Sequence, residues 1–355
     1  MTLSSRPIRF GVAVLVLAAT AITALLFRAG GGSPSGTPLL TEVRLAGQPV
    51  PVLVVPQRPG WNLVQIGLRH ASAGLDRERL APTEQRPGAG HSWVKVHLPE
   101  GRSELWVSAG GVDAAVALDA GSTPSTLDMD GPDAPECANA AIGTLVAGAT
   151  ERLDSCPADR LDTREAAALA STVGFIAARG IRTVALVGDS SPRGQAAERE
   201  VRTAAARHGL TVTAAGRQRV PVMVLSGWTA ADAALRDIAA GKVAAEGAYL
   251  APWLLSGPLL AHPAGTLIPL WFTPRDAAAH RYVEALDGRF PGQPATAGGY
   301  AAWLRARGET ADQRSRLFAA STIQLPGLPV GHHAAAASWL PGGTIVAISG
   351  PLDQA

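Results

Sequence analysis

The feature that most constrains the fold of this 355-residue chain is a change in hydrophobic period near Pro124. Between Leu40 and Gly121 apolar residues alternate in short runs that Pro and Gly clusters separate. No helix of three turns fits there without crossing such a breaker. The pattern is typical of a small antiparallel β-sandwich, and we predict one of immunoglobulin-like type over residues 40–123.

After the sandwich the sequence alternates between helical and strand-like stretches. Ala-rich segments predict helices over residues 138–153 and 163–179, and apolar runs such as TVALVG and VPVMVLSG predict strands between further helices. These strands are apolar on both faces, as a sheet covered by helices on both sides requires. We therefore predict a parallel-sheet α/β domain over residues 124–355. Its last strand, 344–349, is expected to close a hairpin with residues 336–340.

The N-terminus predicts a membrane span. Arg6 and Arg9 precede an uncharged run from Phe10 to Phe27, and a helix of that length is close to the ~30 Å hydrocarbon core, so we predict a membrane span over residues 10–28. The positive-inside rule places residues 1–9 in the cytoplasm and the bulk of the chain outside the cell membrane, as a single-pass protein. Residues 29–39 are rich in Gly, Ser and Pro and predict a flexible tether.

A cleaved signal peptide is the alternative for this N-terminal segment. The small residues that could form a cleavage site, around Ala19 and Ala21, lie inside the apolar run, which favours an uncleaved anchor. No cysteine lies near the segment, which excludes a lipoprotein anchor.

Charge excludes nucleic acid as a partner. The chain has 31 Lys and Arg against 29 Asp and Glu, for a net charge of +2. Only Lys95 and Lys242 are lysines, and the cations form no basic stripe. The sequence also has no P-loop, no Gly-x-Gly-x-x-Gly and no His-Glu-x-x-His, and we expect no cofactor.

Cys137 and Cys156 are the only two cysteines. Outside the membrane, where oxidation is permitted, a pair at this spacing could close a short loop for about 3 kcal/mol, and we predict a disulfide. The alternative is a two-thiolate metal site, but no histidine cluster and no Cys-x-x-Cys spacing accompany the pair.

Ligands of open parallel sheets bind at the carboxyl ends of the strands. The residues in those positions are small polar groups interleaved with tryptophans, and only Arg193 and Arg275 add positive charge. Such a lining suits a ligand with an apolar body and a few hydrogen-bonding groups, and it suits a polyanion poorly.

The runs IRTVALVGDSSPRGQ, VMVLSGWTAADAALRD and RYVEALDGRF resemble the second lobe of type I periplasmic binding proteins of the branched-chain amino acid class. The resemblance spans residues 179–350. It implies a non-catalytic protein, related to the substrate-binding proteins of ABC transporters, that binds a small molecule or a partner protein, and whose partner is a membrane transporter or another envelope protein. The ligand-binding positions that it implies are Ser190, Ser191, Trp228, Thr229 and Trp253.

The chain departs from that family in two respects. The family's amino-acid binders hold the ligand ammonium with a carboxylate in this lobe, whereas Trp253 occupies the best-matching position here. An amino acid is therefore not the expected ligand. The family's first lobe is also not visible, because the predicted sandwich stands in its place.

A weaker resemblance suggests copper handling as an alternative function. Val54-Val55-Pro56 and the run HLPEGRSELWVSAGG are similar to the small extracytoplasmic domains of the YtkA and CopC type. Copper needs His, Met or Cys side chains that converge on one point. The candidates are His70, His91, His97 and Met129.

An esterase is the third hypothesis. Gly188-Asp189-Ser190 after an apolar strand resembles the opening block of GDS-type esterases, in which that serine is the nucleophile. The nearest late acid and base, Asp276 and His280, are four residues apart in a predicted helix, and the same serine region would equally cap the next helix. His332-His333 is expected to be a solvated loop. We therefore expect no catalytic residues.

Overall fold

The structure is a computed structural model that describes residues 34–132, 134–311, 314–322 and 338–354. The predicted N-terminal region and span (1–28), residues 29–33 of the predicted tether and His332-His333 lie outside the described residues. In the described part of the chain, no helix is both long enough and apolar enough to cross a membrane.

The first part of the chain forms short antiparallel strands, as its alternating pattern predicts. Their bounds are β1 Leu39–Leu45, β2 Gln48–Val55, β3 Gly60–Ile66, β4 Ser72–Gly74, β5 Ala81–Pro82, β6 Glu84–Gln85, β7 Ser92–Leu98, β8 Arg102–Ala109 and β9 Val112–Asp119. They pair into a five-stranded sheet, β1-β2-β3-β7-β6, and a four-stranded sheet, β5-β4-β8-β9. Valines and leucines of both sheets share one core. The immunoglobulin-like topology itself stays a prediction.

The rest of the chain is a mixed α/β fold, in which helices alternate with the strands of one sheet. Its strands are β10 Thr183–Val187, β11 Thr211–Ala214, β12 Val220–Val224, β13 Ala245–Leu250, β14 Thr266–Leu270, β15 Arg316–Thr322 and β16 Gly343–Pro351. Its helices are α1 Ala134–Val146, α2 Thr163–Ala178, α3 Pro192–Arg207, α4 Trp228–Ala239, α5 Gly257–Leu260, α6 Ala277–Arg289 and α7 Ala297–Ala306.

These strands form one seven-stranded sheet in the order β11-β10-β12-β13-β14-β15-β16. The first five in that order pair in parallel, whereas β15 and β16 pair antiparallel. Strand β12 is buried along its whole length, because helices cover both faces of the sheet.

Two predicted element boundaries are wrong. Helix α1 covers Ala134–Val146 instead of 138–153, so the chain leaves the helix before Gly148, which adopts a φ of 83°. The predicted hairpin between 336–340 and 344–349 is also wrong, because β16 pairs with β15. Trp339 and Leu340 are buried instead.

The five-stranded sheet is buried on both faces along most of β2 and β3. Its inner face shares the core with the four-stranded sheet, and its outer face carries Leu53, Val55, Leu63 and Trp93, which belong to the core of the α/β part. Helix α1 packs against β2 and β3 on that outer face and against α6 and α7 on its other side. The described residues from Ser35 onward consequently form one compact unit. The predicted domain boundaries at 40–123 and 124–355 stay predictions.

Candidate functional site

Strands β10 and β12 are parallel neighbours, so the loops that follow them lie side by side. Asp189 joins these two loops: one carboxylate oxygen accepts hydrogen bonds from the amide and hydroxyl of Ser191, at 3.0 and 2.6 Å, and the other accepts one from the Gly227 amide at 2.6 Å. Ser191 is the N-cap of α3 and accepts a bond from the Gly194 amide at 3.0 Å. Asp189 is thus a positioning residue that fixes the distance between the loops.

A cleft of about 600 Å³ opens at these two loops. On the strand side it is lined by four of the five ligand-binding residues that the sequence resemblance implies, namely Ser190, Ser191, Trp228 and Thr229. The Ser190 and Thr229 side chains are exposed, and their hydroxyls make no hydrogen bond to any residue that the structure describes. The Ser191 hydroxyl is not free, because it accepts the hydrogen bond from the Gly194 amide that caps α3.

The opposite wall comes from segments to which sequence reasoning gave no role in a site. Asp128, Gly131 and Pro132 line it from the stretch before α1, and Ala158 and Asp159 line it from a short 3₁₀ turn. The predicted disulfide between Cys137 and Cys156 is present, with the two Cα atoms 4.9 Å apart, and it links the first turn of α1 to the residue that precedes the 3₁₀ turn. The disulfide therefore links the two regions of the chain that line the cleft opposite the loops after β10 and β12.

The cleft carries negative charge. Asp128, Asp159 and Asp189 line it, whereas no Lys, Arg or His among the described residues does. Their carboxylates accept backbone hydrogen bonds, such as that from the Cys156 amide to Asp159 at 2.7 Å and that from the Gly131 amide to Asp128 at 2.9 Å. The charge is thus held in place by the fold and is not neutralised by an ion pair within the described residues.

The two tryptophans of the predicted site occupy different positions. Trp228 lines the cleft, with only 5% of its surface exposed, and the guanidinium of Arg86 lies 4.6 Å from the centre of its ring. Arg86 belongs to the β6–β7 connection, so the β part of the chain supports a ring of the cleft. Trp253 is not among the residues that line the cleft.

Trp253 lies in the interior. It is 4% exposed, its indole N–H donates to the Ser226 carbonyl at 3.0 Å, and the Arg193 guanidinium lies 4.5 Å from its ring. The structure thus brings four of the five residues together and places the fifth within the core. A ligand-binding role stays a prediction for all five.

The histidines of the copper hypothesis lie in different surroundings. His91 is 2% exposed and contacts the rings of Trp93 and Phe290, whereas His97 packs edge-on against the exposed Trp61. Burial and the nearby Arg86 guanidinium lower the pKa of His91 to about 3. Within the described residues, no group of three or more His, Cys, Asp or Glu side chains could hold a metal ion.

His70 is exposed and Met129 is fully buried. For the esterase hypothesis, His280 pairs with Glu284 at 3.1 Å, and Asp276 is the N-cap of α6. No hydrogen bond links Ser190 to a histidine in the part of the chain that the structure describes.

No protein-family model matches the chain, and no curated protein matches it in sequence. Solved structures do match, and they include type I periplasmic binding proteins, the class that the sequence resembles. One is an ABC transporter substrate-binding protein from Desulfitobacterium hafniense in complex with Leu, at 16% identity and a TM-score of 0.29, covering 40% of this chain and 48% of that one.

A solute-binding protein of an ABC transporter from R. palustris, in complex with benzoate, matches at 12% identity and a TM-score of 0.32, over 40% of this chain and 46% of that one. A branched-chain amino acid ABC transporter ligand-binding protein from Burkholderia xenovorans LB400 matches at 14% identity and a TM-score of 0.37, over 60% and 75%. The chain thus spans about half the length of the first solved structures that it matches.

Proposed function

We propose that this chain is a non-catalytic solute-binding protein of the cell envelope that binds a small organic molecule in the cleft at the ends of β10 and β12. The observation that carries the proposal is the convergence of Ser190, Trp228 and Thr229 on one cleft of about 600 Å³. That volume lies within the range of ligand pockets, and an aromatic ring beside free hydroxyls matches their usual chemistry.

The charge of the cleft restricts the solute. Three carboxylates attract hydrogen-bond donors and repel anions, at about 1 kcal/mol for each pair of charges 4 Å apart in water. We therefore propose an uncharged or cationic solute with an apolar body that lies against Trp228. The chain would be tethered to the membrane by residues 10–28 and would serve a transporter or another envelope protein.

Thermal unfolding of residues 35–355 with matched pairs of compounds tests this proposal. Because benzoate and Leu are bound in the solved structures of two similar proteins, the pairs are benzoate with benzamide and leucine with leucinamide. We expect benzamide and leucinamide to bind at least about tenfold more tightly than their anionic or zwitterionic counterparts. A ligand at 100 times its dissociation constant adds about 2.7 kcal/mol, which raises the Tm by several degrees.

Thr229→Trp, which fills the cleft, should remove the shift. Thr203→Trp is the matched control, because Thr203 is also an exposed helical threonine but does not line the cleft. An equal shift in both variants, or no shift with any of the four compounds, would contradict the proposal.

A further inference from the structure

A second cavity, of about 480 Å³, has Cys156 of the disulfide in common with the cleft but is otherwise lined by different residues. Its floor is made of small residues of two helices that pack against each other, α1 and α7. The floor residues are Ala140, Ala141, Thr144, Ala297, Gly298, Ala301 and Ala302. The half-buried ring of Trp271 contributes to the wall.

The floor is apolar because the two helices approach each other backbone to backbone. A Cβ added at Gly143 of α1 would lie 2.0 Å from the Gly299 carbonyl oxygen of α7, so only glycine permits this separation. The small alanine side chains beside this helix crossing leave the space that forms the cavity. The shape of the cavity thus follows from small side chains at the crossing.

Of the ionisable side chains that line this cavity, Glu165 in the first turn of α2 is the buried one, at 9% exposed. One of its oxygens, Oε2, accepts a hydrogen bond from the Asp162 amide at 3.2 Å. The other, Oε1, accepts none from any residue that the structure describes, and no Lys, Arg or His in that part of the chain forms an ion pair with the carboxylate. Glu165 is therefore a buried carboxyl group with one oxygen available to an occupant of the cavity.

The surroundings of Glu165 raise its pKa to about 7, chiefly through burial. Three charged groups face the Glu165 carboxyl. Arg193 of α3 lowers its pKa, whereas Asp162, the N-cap of α2, and Glu136 of α1 raise it through their charges. A buried carboxylate costs free energy unless a donor pairs with it. A ligand that supplies a positive charge offsets that cost.

The rim of the cavity has charges of both signs. Arg152, Arg160 and Arg305 lie beside Glu151, Asp154 and Asp162, and all six are exposed. Solvent and salt screen exposed charges, whereas a buried charge is screened much less. The charge preference of the cavity is consequently set by Glu165.

We propose that this cavity is a second binding site, for a small primary amine whose ammonium group donates to Oε1 of Glu165 and whose carbon chain lies on the alanine floor beside Trp271. The site is separate from the cleft and does not depend on the function proposed for it. It differs from the cleft in having a single buried acid at its base.

Calorimetric titration of residues 35–355 with n-butylammonium tests the site, and n-butanol and butyrate are the matched probes without the positive charge. We expect saturable binding of the ammonium only. Because about one Glu165 in ten is ionised at pH 6 and about nine in ten at pH 8, affinity should rise about tenfold between these values. At pH 6 binding should release nearly one proton from Glu165. Titrations in buffers of different ionisation enthalpy measure the number of protons released.

Glu165→Gln should abolish the proton release and weaken binding at least about tenfold. Glutamine can still make the capping-box bond to the Asp162 amide, so this variant keeps the start of α2. Ala301→Phe should block the cavity from its exposed side. Glu151→Gln on the rim is the control and should leave the affinity within about twofold.

Unchanged binding in Glu165→Gln, tighter binding of butyrate than of n-butylammonium, or no saturable binding of the ammonium would each overturn the proposal. Thr229→Trp separates the two sites: it closes the cleft and should leave the binding of n-butylammonium unchanged. Loss of that binding in Thr229→Trp alone would assign the amine to the cleft and would also overturn the proposal.

Discussion

The two sheets of the β part have the same kind of strand but different surroundings. The four-stranded sheet is buried on one face, and in its strands β8 and β9 buried residues alternate with half-buried or exposed ones. The five-stranded sheet is buried on both faces over much of β2 and β3. The difference shows that the β part packs against the α/β part through one face of the five-stranded sheet. The apolar side chains of Leu53, Val55 and Leu63 on that face are buried by residues of the α/β part.

The largest effect should come from removing an apolar group of that outer face. Leu53 is fully buried in the core shared with α1, so Leu53→Ala should lower the free energy of unfolding by about 2–5 kcal/mol. Val112→Ala is the control, because Val112 of the four-stranded sheet is 37% exposed and its truncation should cost less than about 0.5 kcal/mol. Urea unfolding measures both, and equal effects would show that the outer face is not a core.

The next effect concerns the helix that covers the outer face. Gly143→Ala places a Cβ against the Gly299 carbonyl and should destabilise the protein by about 1–3 kcal/mol through overpacking. Gly288→Ala is the matched control, because Gly288 lies in α6 with no atom within 4 Å of its added Cβ. Alanine there should stabilise the helix by about 0.5–1 kcal/mol. Opposite signs of the two shifts in urea midpoint are the expected result.

A polar contact also crosses the outer face. The Gln65 side-chain nitrogen of β3 donates to Oε1 of Gln293, and Nε2 of Gln293 donates to Oδ1 of Asn139 in α1 at 2.9 Å. Gln293→Ala leaves Gln65 and Asn139 without this partner in the interior and should cost about 1–3 kcal/mol. The double variant with Gln65→Leu should recover part of that loss in a urea-unfolding cycle, and strict additivity would contradict the coupling.

The smallest effect is electrostatic and comes from His91, which lies against Trp93 of the outer face. Its pKa falls from 6.5 to about 3 on folding, so the unfolded chain binds more protons between these values and stability falls as the pH drops below 6.5. Acidification from pH 6.5 to 5.5 should cost about 1 kcal/mol, and His91→Phe should remove that loss.

Glu165 should act in the opposite direction. Its pKa rises from 4.5 to about 7 on folding, so the folded state keeps a proton that the unfolded state loses, and its contribution to stability is lost as the pH rises through about 7. Relative to the unsubstituted protein, His91→Phe and Glu165→Gln should therefore change the pH slope of unfolding with opposite signs between pH 5 and 7. Changes in slope of the same sign would refute at least one of the two pKa assignments.

Much of the α/β part could be predicted from the sequence. Strands such as Thr183–Val187 and helices such as Thr163–Ala178 lie within one or two residues of their predicted bounds, because apolar runs and caps are local signals. The pairing of β15 with β16 could not be predicted, because the two strands are separated in the chain and no local sequence pattern specifies which strands pair. The bounds of α1 could not be predicted either, because its apolar residues pack against two layers, the five-stranded sheet on one side and α6 and α7 on the other.

The candidate site was predictable only in part. The loops after β10 and β12 could be located because parallel strands end at the same edge of a sheet. The opposite wall with Asp128 and Asp159 could not, since the residues that line it come from an irregular segment and a short turn. Trp228 and Trp253 follow neighbouring strands and look alike in sequence, yet one lines the cleft and the other is packed behind it.

The sequence by itself determined the order of strands and helices, the pairing partners available to its two cysteines and the scarcity of cations at the strand ends, because each depends on composition or local periodicity. The tertiary structure alone decided what covers the outer face of the five-stranded sheet, which tryptophan reaches the cleft and why Glu165 holds its proton near neutral pH. Those properties depend on which distant groups exclude water from a surface or a charge, and a local pattern carries no information about them.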